Sequence, residues 1–318
     1  MRYSIKDFKV GDSVGDYFVV IKADIKVGGA GKHYLNVDLS DATGQINSKK
    51  WTLLSSEKGF LEGLKAGDIV YVEGKVKEFN GASQLSIDVM QPVMEGADYS
   101  RADLFKAAPE PSEEMYNYIV GKIQSFEDEE LKSVCMAFYE ENKEKLLYYP
   151  AAMRNHHAEY GGLLYHVKRM MMSGEKLCEI YTYLNRDLLL AGVALHDIEK
   201  LTEILSDQNG VSPGYSLEGQ MLGHLVIGTI TIAEKCKELG INEEKMLMLQ
   251  HMSLSHHYEA DFGSPKKPLF PEAELLHYLD MVDAKMFDFE EALSNVKPGA
   301  FTEKVFQLDN RKLYKKTF

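Results

Sequence analysis

Nine of the ten histidines of this 318-residue chain lie beyond residue 150, at 156, 157, 166, 196, 224, 251, 256, 257 and 277, with aspartates at 197, 280 and 283 among them. A single histidine on an apolar helix face is ordinarily a packed residue with its nitrogens satisfied. The order His166, His196-Asp197, His224, His256, Asp280/Asp283 departs from that, because it puts about one donor on each of five successive helical segments. Imidazole nitrogens mixed with carboxylate oxygens suit Mn, Fe, Co, Ni or Zn, and an aspartate directly beside a histidine can bridge two cations. Cysteine is absent from the set, so it reads as a catalytic centre with open positions rather than a closed structural zinc site. A cation lowers the pKa of its water from about 15.7 to about 7, which makes a nucleophile for phosphorus available at neutral pH.

The elements that must carry these residues are legible from periodicity. From Met115 onward apolar residues recur at helical spacing, which predicts helices at 113–125, 128–147, 161–184, 186–198, 218–239, 242–257 and 271–292. Residues 1–95 instead alternate apolar and polar side chains, as in Tyr17 to Lys22, Tyr34 to Leu39, Ile69 to Val76 and Gln84 to Val89. Asn80-Gly81 marks a hairpin turn, and a short helical stretch lies between Trp51 and Leu64. Three strands, a helix and two strands suggest an all-β OB-fold barrel, although a generic barrel or sandwich fits the alternation equally well. The expected organisation is therefore multidomain: a barrel over 1–95, a linker over 96–114, a helical domain over 115–300 and a basic aromatic tail over 301–318. The tail carries Arg311, Lys312, Lys315 and Lys316 with Tyr314 and Phe318, and reads as solvated rather than strand-guiding.

An OB barrel holds single strands by stacking bases on aromatics while basic side chains follow the backbone. Tyr34, Trp51 and Phe79, with Lys32, Lys49, Lys50, Lys75 and Lys77 among them, are the candidates. As the lone tryptophan, Trp51 is expected to fill the barrel core, which leaves Tyr34 and Phe79 as the better stacking residues.

The blocks GGLLYHV at 161–167, LHDIEK at 195–200, GHL at 223–225, LSHHYE at 254–259 and LHYLDMVDAKM at 276–286 resemble the HD superfamily of metal-dependent phosphohydrolases. Behind an OB-like domain they resemble the YhaM-type 3′-to-5′ exoribonucleases of Gram-positive bacteria. The HD dyad alone is a two-letter signal; five ordered blocks behind the right N-terminal domain are specific. The resemblance implies that His166, His196, Asp197 and a late aspartate hold one metal, and that His224 and His256, bridged by Asp197, hold a second. His257 becomes a further ligand or a phosphate contact. Asp280 aligns with the late ligand and Asp283 is the reserve; three apart on a helix, they share a face. Two divalent ions are implied, manganese first, with Co, Fe, Ni, Zn or Mg as alternatives. Lys200 can neutralise a phosphate oxygen or face water at a helix end. His157 is a candidate phosphate or leaving-group contact and Arg154 a nucleic-acid contact, while His251 and His277 read as structural.

The resemblance further implies hydrolysis of single-stranded RNA, and of single-stranded DNA as a second substrate, to nucleoside 5′-monophosphates. The rival readings are an HD phosphohydrolase of free or cyclic nucleotides and a non-catalytic single-strand-binding protein. A net charge of −13 argues against phosphate binding by bulk attraction, but residues 1–95 hold 12 basic against 13 acidic residues and so repel a polyanion little. Cys135, Cys178 and Cys236 are isolated and expected to be reduced. With no signal-like N-terminus and no membrane-spanning run, the expected location is the cytoplasm, with no membrane partner. The family also suggests a homo-oligomer, for which the apolar stretch 128–149 is the candidate surface.

Overall fold

The structure is a computed structural model that describes residues 4–318 apart from 30, 80, 95, 100, 154–156, 211, 213 and 295, together with the side chains of 101 and 102. Asn80 of the expected hairpin turn and Arg154 therefore lie outside the described residues. The chain divides into two compact units, Met1–Ala107 and Ala108–Phe318.

In the first unit, β1 (Ser13–Val27), β2 (His33–Asp41), β3 (Gly44–Lys50), the short helix α1 (Lys58–Glu62), β4 (Ile69–Phe79) and β5 (Ala82–Pro92) follow in the expected order. The strands close a barrel in the order β1-β2-β3-β5-β4, with β3 and β5 parallel and the remaining pairs antiparallel. This is the OB fold. Period-two alternation sends Phe18, Leu35, Val37, Leu39, Val70, Val72, Leu85 and Ile87 into the core and leaves the intervening residues outside. The β4–β5 ladder is bulged at Asp88 of β5, which has no partner between the pairs Glu73–Val89 and Gly74–Ile87, and the strands approach so closely there that a Cβ on Gly74 would lie 2.3 Å from the Ser86 carbonyl oxygen. The stretch expected to be linker is more ordered than that: it contains α2 (Arg101–Leu104), with Leu104 and Phe105 buried.

The second unit contains α3 (Ser112–Gln124), α4 (Glu129–Glu141), α5 (Lys143–Leu146), α6 (Gly162–Ile180), α7 (Arg186–Leu195), α8 (Lys200–Glu203), a two-residue hairpin β6 (Ile204–Leu205) and β7 (Gly214–Tyr215), α9 (Leu217–Leu239), α10 (Glu243–Ser255) and α11 (Pro271–Ser294). The residue immediately before each start supplies the cap: the side chains of Asp128, Asn185, Ser216 and Asn242 accept backbone N–H groups of α4, α7, α9 and α10. The run LLLAGVAL makes α7 apolar on every side, and it is accordingly buried all round at the centre of the unit. Its C-terminal end delivers the His196-Asp197 pair.

Two expectations need correction. The apolar face of 128–149 is not a free surface, because Leu131, Val134, Cys135, Phe138, Tyr139, Leu146 and Tyr149 are buried in this unit's own core. Residues 301–318 are not a solvated tail. They form a folded-back pair of bridges, Phe301 with Tyr314 and Val305 with Arg311, seated on buried Thr302, Leu308 and Leu313. Lys315 Nζ donates to the carbonyl of Leu293 at the end of α11.

Candidate active site and strand-binding face

The five segments converge. His166 comes from the second turn of α6, His196 and Asp197 from the C-terminal end of α7, His224 from α9, His256 and His257 from just past α10, and Asp280 from α11. Asp197 is the hub. Its Oδ2 lies 3.4 Å from His196 Nε2 and 3.8 Å from His166 Nε2, and its Oδ1 lies 3.3 Å from His224 Nε2 and 3.7 Å from His256 Nε2. Among the described residues, ligand-type atoms come within 4.8 Å of one another in four groups: His166, His196 and Asp197; His196, His256 and Asp280; His224, His256 and His257; and, on the outer side of the His166 ring, His157, His166 and Asp283.

Ring orientation follows from the outer nitrogens. His196, His256 and His257 each bond through Nδ1 to a backbone carbonyl, of Val193, Ser253 and Phe262, at 2.8 to 2.9 Å. A carbonyl only accepts, so Nδ1 carries the proton and Nε2 turns a lone pair inward. His224 Nδ1 donates to Glu203 Oε2 and His166 Nδ1 to Asp283 Oδ2, both at 2.8 Å. Nε2 of His196, His224 and His256 and Oδ1 of Asp197 are buried without a hydrogen-bond partner. Acceptor lone pairs facing one another across a buried centre are costly unless something positive lies among them. The donor set, all imidazole and carboxylate, fits divalent cations of the Mn-to-Zn series.

Charge adds to the same picture. Burial drives the Asp197 carboxyl up, but Lys200, whose Nζ is 2.6 Å from Oδ2, and the imidazoles of His196 and His224 outweigh it and hold the group well below the usual carboxylate range. Burial likewise opposes a charge on His166, yet Asp280 and Asp283 raise it to about 9. His256 is pushed well below the usual imidazole range by burial and by its neighbours His257 and His196. A cation entering here would displace the proton on His166 and meet an already neutral His256.

Several expected residues take other places. Asp283 is not turned to the centre: its Oδ2 accepts from His157 Nε2 and His166 Nδ1, each at 2.8 Å, and its Oδ1 from Arg169 Nε at 2.7 Å. The two late aspartates thus bracket one imidazole, Asp280 Oδ1 standing 3.4 Å from Nε2 on the inner side. His157 is fully buried against Phe287 behind Asp283. Lys200 is not a water-facing helix end: its side chain, 12% exposed, pairs with Asp197. His251 accepts from the Leu269 N–H and His277 donates to the His256 carbonyl, as structural histidines do. Sequence reasoning missed Arg169 and Glu203. Arg169 lies three residues after His166 and so on the same helix face, a usable signal; Glu203 follows Asp197 at no informative spacing.

On the barrel, the outward positions of β2 and β3 and the residue after β3 bring Tyr34, Lys49 and Trp51 together, with Phe79 at the end of β4. Trp51 is 53% exposed and stacks on Tyr34 with ring centroids 4.7 Å apart at 27°. Lys49 Nζ stands over the rings of Phe79 at 4.6 Å, Trp51 at 5.4 Å and Tyr34 at 5.8 Å. The expectation that Trp51 fills the core is therefore wrong. So is Lys50 as a strand contact: only 3% exposed, it bonds the Asp88 carbonyl at 2.7 Å and pairs with Glu57. Parity explains this, since Ile46, Ser48 and Lys50 share the inward face of β3. Lys32, Lys75 and Lys77 are exposed, Lys77 donating to Ser86 Oγ.

A family model described as an OB-fold nucleic acid binding domain matches residues 19–93, and one described as an HD domain matches residues 163–285. The chain is similar to the 3′-5′ exoribonuclease YhaM of Bacillus subtilis, with 37% identity over 318 residues, 100% of this chain and 99% of that protein. It is also 37% identical over 318 residues to the 3′-5′ exoribonuclease YhaM of a Geobacillus species, covering 100% of this chain and 96% of that protein.

Proposed function

The chain belongs to the YhaM family of 3′-5′ exoribonucleases, and from that membership we propose that it is a metal-dependent enzyme that removes nucleoside 5′-monophosphates from the 3′ end of single-stranded RNA. One observation carries the reading: the inward-facing Nε2 atoms of His196, His224 and His256 and the Oδ1 atom of Asp197 are buried together without a hydrogen-bond partner.

His166, His196, Asp197 and Asp280 would hold one divalent ion, and His224, His256 and His257 a second, with Asp197 common to both; manganese is the first choice. When bound, such a pair supplies an acidified water and positive charge for the oxygens at phosphorus. The protein's own contribution is orientation. Lys200 keeps Asp197 ionised and fixed, Asp283 with Arg169 and His157 holds His166, and buried packing of α7 keeps the hub from shifting. Lys200 also brings a positive charge beside the centre, where charge on a phosphate oxygen grows during cleavage. Tyr34 and Trp51 offer a stacking surface, with Phe79, Lys49, Lys32, Lys75 and Lys77 for further bases and phosphates. Such a surface is tolerant of sequence and would accept single-stranded DNA as well. Among the described residues no helix is long and apolar enough to cross a membrane, and a cytoplasmic site of action accords with an RNA substrate. Self-association into a homo-oligomer belongs to the same proposal, supported by the exposed Leu217, Met221 and Leu222 of α9.

The test is a labelled single-stranded RNA with a free or a blocked 3′ end, incubated with the protein and Mn²⁺. Stepwise shortening of the free-ended RNA alone, with mononucleotide product, is expected. Equal cleavage of both, or turnover only of free or cyclic nucleotides, would overturn the proposal.

A further inference from the structure

The outer nitrogens of the five imidazoles are held by two kinds of acceptor. His196, His256 and His257 lean on backbone carbonyls, but His166 and His224 lean on carboxylates, Asp283 and Glu203. These two stand on opposite oxygens of the hub, His166 Nε2 3.8 Å from Asp197 Oδ2 and His224 Nε2 3.3 Å from Oδ1. Each side of the centre therefore has one imidazole whose electron donation is strengthened by a negative charge behind it.

Glu203 does a second thing. Helix α9 breaks at Gly223, which adopts φ 72° and ψ 157°, a left-handed φ that suits glycine, so the N–H of His224 loses its helical acceptor. Glu203 Oε1 takes that N–H at 3.2 Å while Oε2 takes the ring Nδ1–H at 2.8 Å. A single carboxylate thus restarts the helix and sets the ring. Its own backbone is pinned: Glu203 N donates to the Glu199 carbonyl, its carbonyl accepts from Ser216 N, and a Cβ on Gly219 would lie 2.4 Å from that carbonyl oxygen.

We infer that Glu203 is a positioning residue that fixes the His224 tautomer and sets cation affinity on the His224, His256, His257 side of the centre, independently of the side that Asp283 supports. The inference rests on the two-cation reading above. The chemistry requires a carboxylate, because the site needs two acceptors. Glutamine at 203 has the same size but offers one acceptor and one donor. If its NH₂ faces the backbone N–H of His224, two donors oppose each other. If it faces Nδ1, that nitrogen must accept, and the proton moves to Nε2, the atom aimed at Asp197. Either outcome weakens the donor that a cation needs.

Titration of the metal-free full-length protein with MnCl₂ by calorimetry, for wild type, Glu203→Gln and Asp283→Asn, tests this together with ¹⁵N NMR of the histidine rings. Wild type should take up two ions. Glu203→Gln should weaken one of them about 10- to 100-fold and spare the other, with the His224 proton moving from Nδ1 to Nε2. Asp283→Asn should weaken the ion that Glu203→Gln spares, and it tests the independence of the two sides even if Glu203→Gln folds poorly. Loss of both ions together in either variant, or an unchanged His224 tautomer with unchanged affinities, would overturn the inference. Fewer than two ions on wild type would instead mean that the two-cation reading fails.

Discussion

Trp51→Ala isolates the strand-binding face from the hydrolytic centre. The indole is half exposed and stacked on Tyr34, with Lys49 above both rings, so it is available to a base and contributes little to the barrel core. A base–aromatic stack is worth about 1–3 kcal/mol, which corresponds to about a 5- to 150-fold rise in Kd for single-stranded RNA. The stability cost should be small, limited to the loss of one aromatic pair, about 0.5–1.5 kcal/mol. Because Trp51 is the chain's only tryptophan, its fluorescence reports the contact directly. Titrating RNA into the wild type should quench it, and the variant, followed by anisotropy of a labelled RNA, should bind more weakly. In steady state the variant should raise KM for long RNAs and leave kcat nearly unchanged, as loss of uniform binding does. Unquenched fluorescence at saturating RNA, or an unchanged Kd in the variant, would refute the assignment of this face.

Further substitutions probe the other links. Asp197→Ala should reduce hydrolysis below detection while RNA anisotropy stays within a few-fold of wild type; surviving activity in a gel assay would contradict the hub role. Lys200→Met should lower kcat by about 10²-fold or more, the scale on which one preorganised charge-stabilising group acts, without loss of folding by circular dichroism. Away from the centre, Lys245 pairs with Asp128 and Glu130. Burial raises the Asp128 carboxyl, but Lys245 and the backbone N–H groups of α4 outweigh it and leave it depressed, and Lys245 depresses Glu130 as well. A carboxylate depressed in the folded state adds stability above its unfolded value, near pH 4, that is lost as pH falls through the folded one. Lys245→Met should therefore be less stable than wild type in urea at pH 7, and the difference should shrink on acidification below about pH 4.

How much of this was readable from the residues differs from element to element. Period-two alternation located the barrel strands, and helical periodicity located the helices that carry His166, His224 and Asp280, because in each case one apolar face had to be buried. The expected helix 128–147 is two helices broken at Asn142, and α6 ends at Ile180, four residues short of the expected 184, because periodicity marks element ends less sharply than it marks their existence. The ordered blocks from His166 to Asp280 anticipated which groups meet. They could not separate Asp280 from Asp283, since residues three apart share a face; only the position of the His166 ring between them assigns one to each nitrogen. Trp51 was misjudged because tryptophan is usually buried, whereas here it follows the last residue of β3 and packs on an outward Tyr34. Lys50 was a parity error that the alternation itself could have corrected. Glu203 was invisible, since its partner is a backbone N–H freed by a kink twenty residues later.

The central claim is convergence on a shared pair of cations, and anomalous diffraction from crystals soaked in MnCl₂, recorded on both sides of the manganese edge, tests it most directly. Two peaks are expected, about 3.5–4 Å apart, with Asp197 bonded to both, Asp280 to one, and Asp283 to neither. A single peak, peaks that bypass Asp197, or manganese bonded to Asp283 in place of His166 would contradict it.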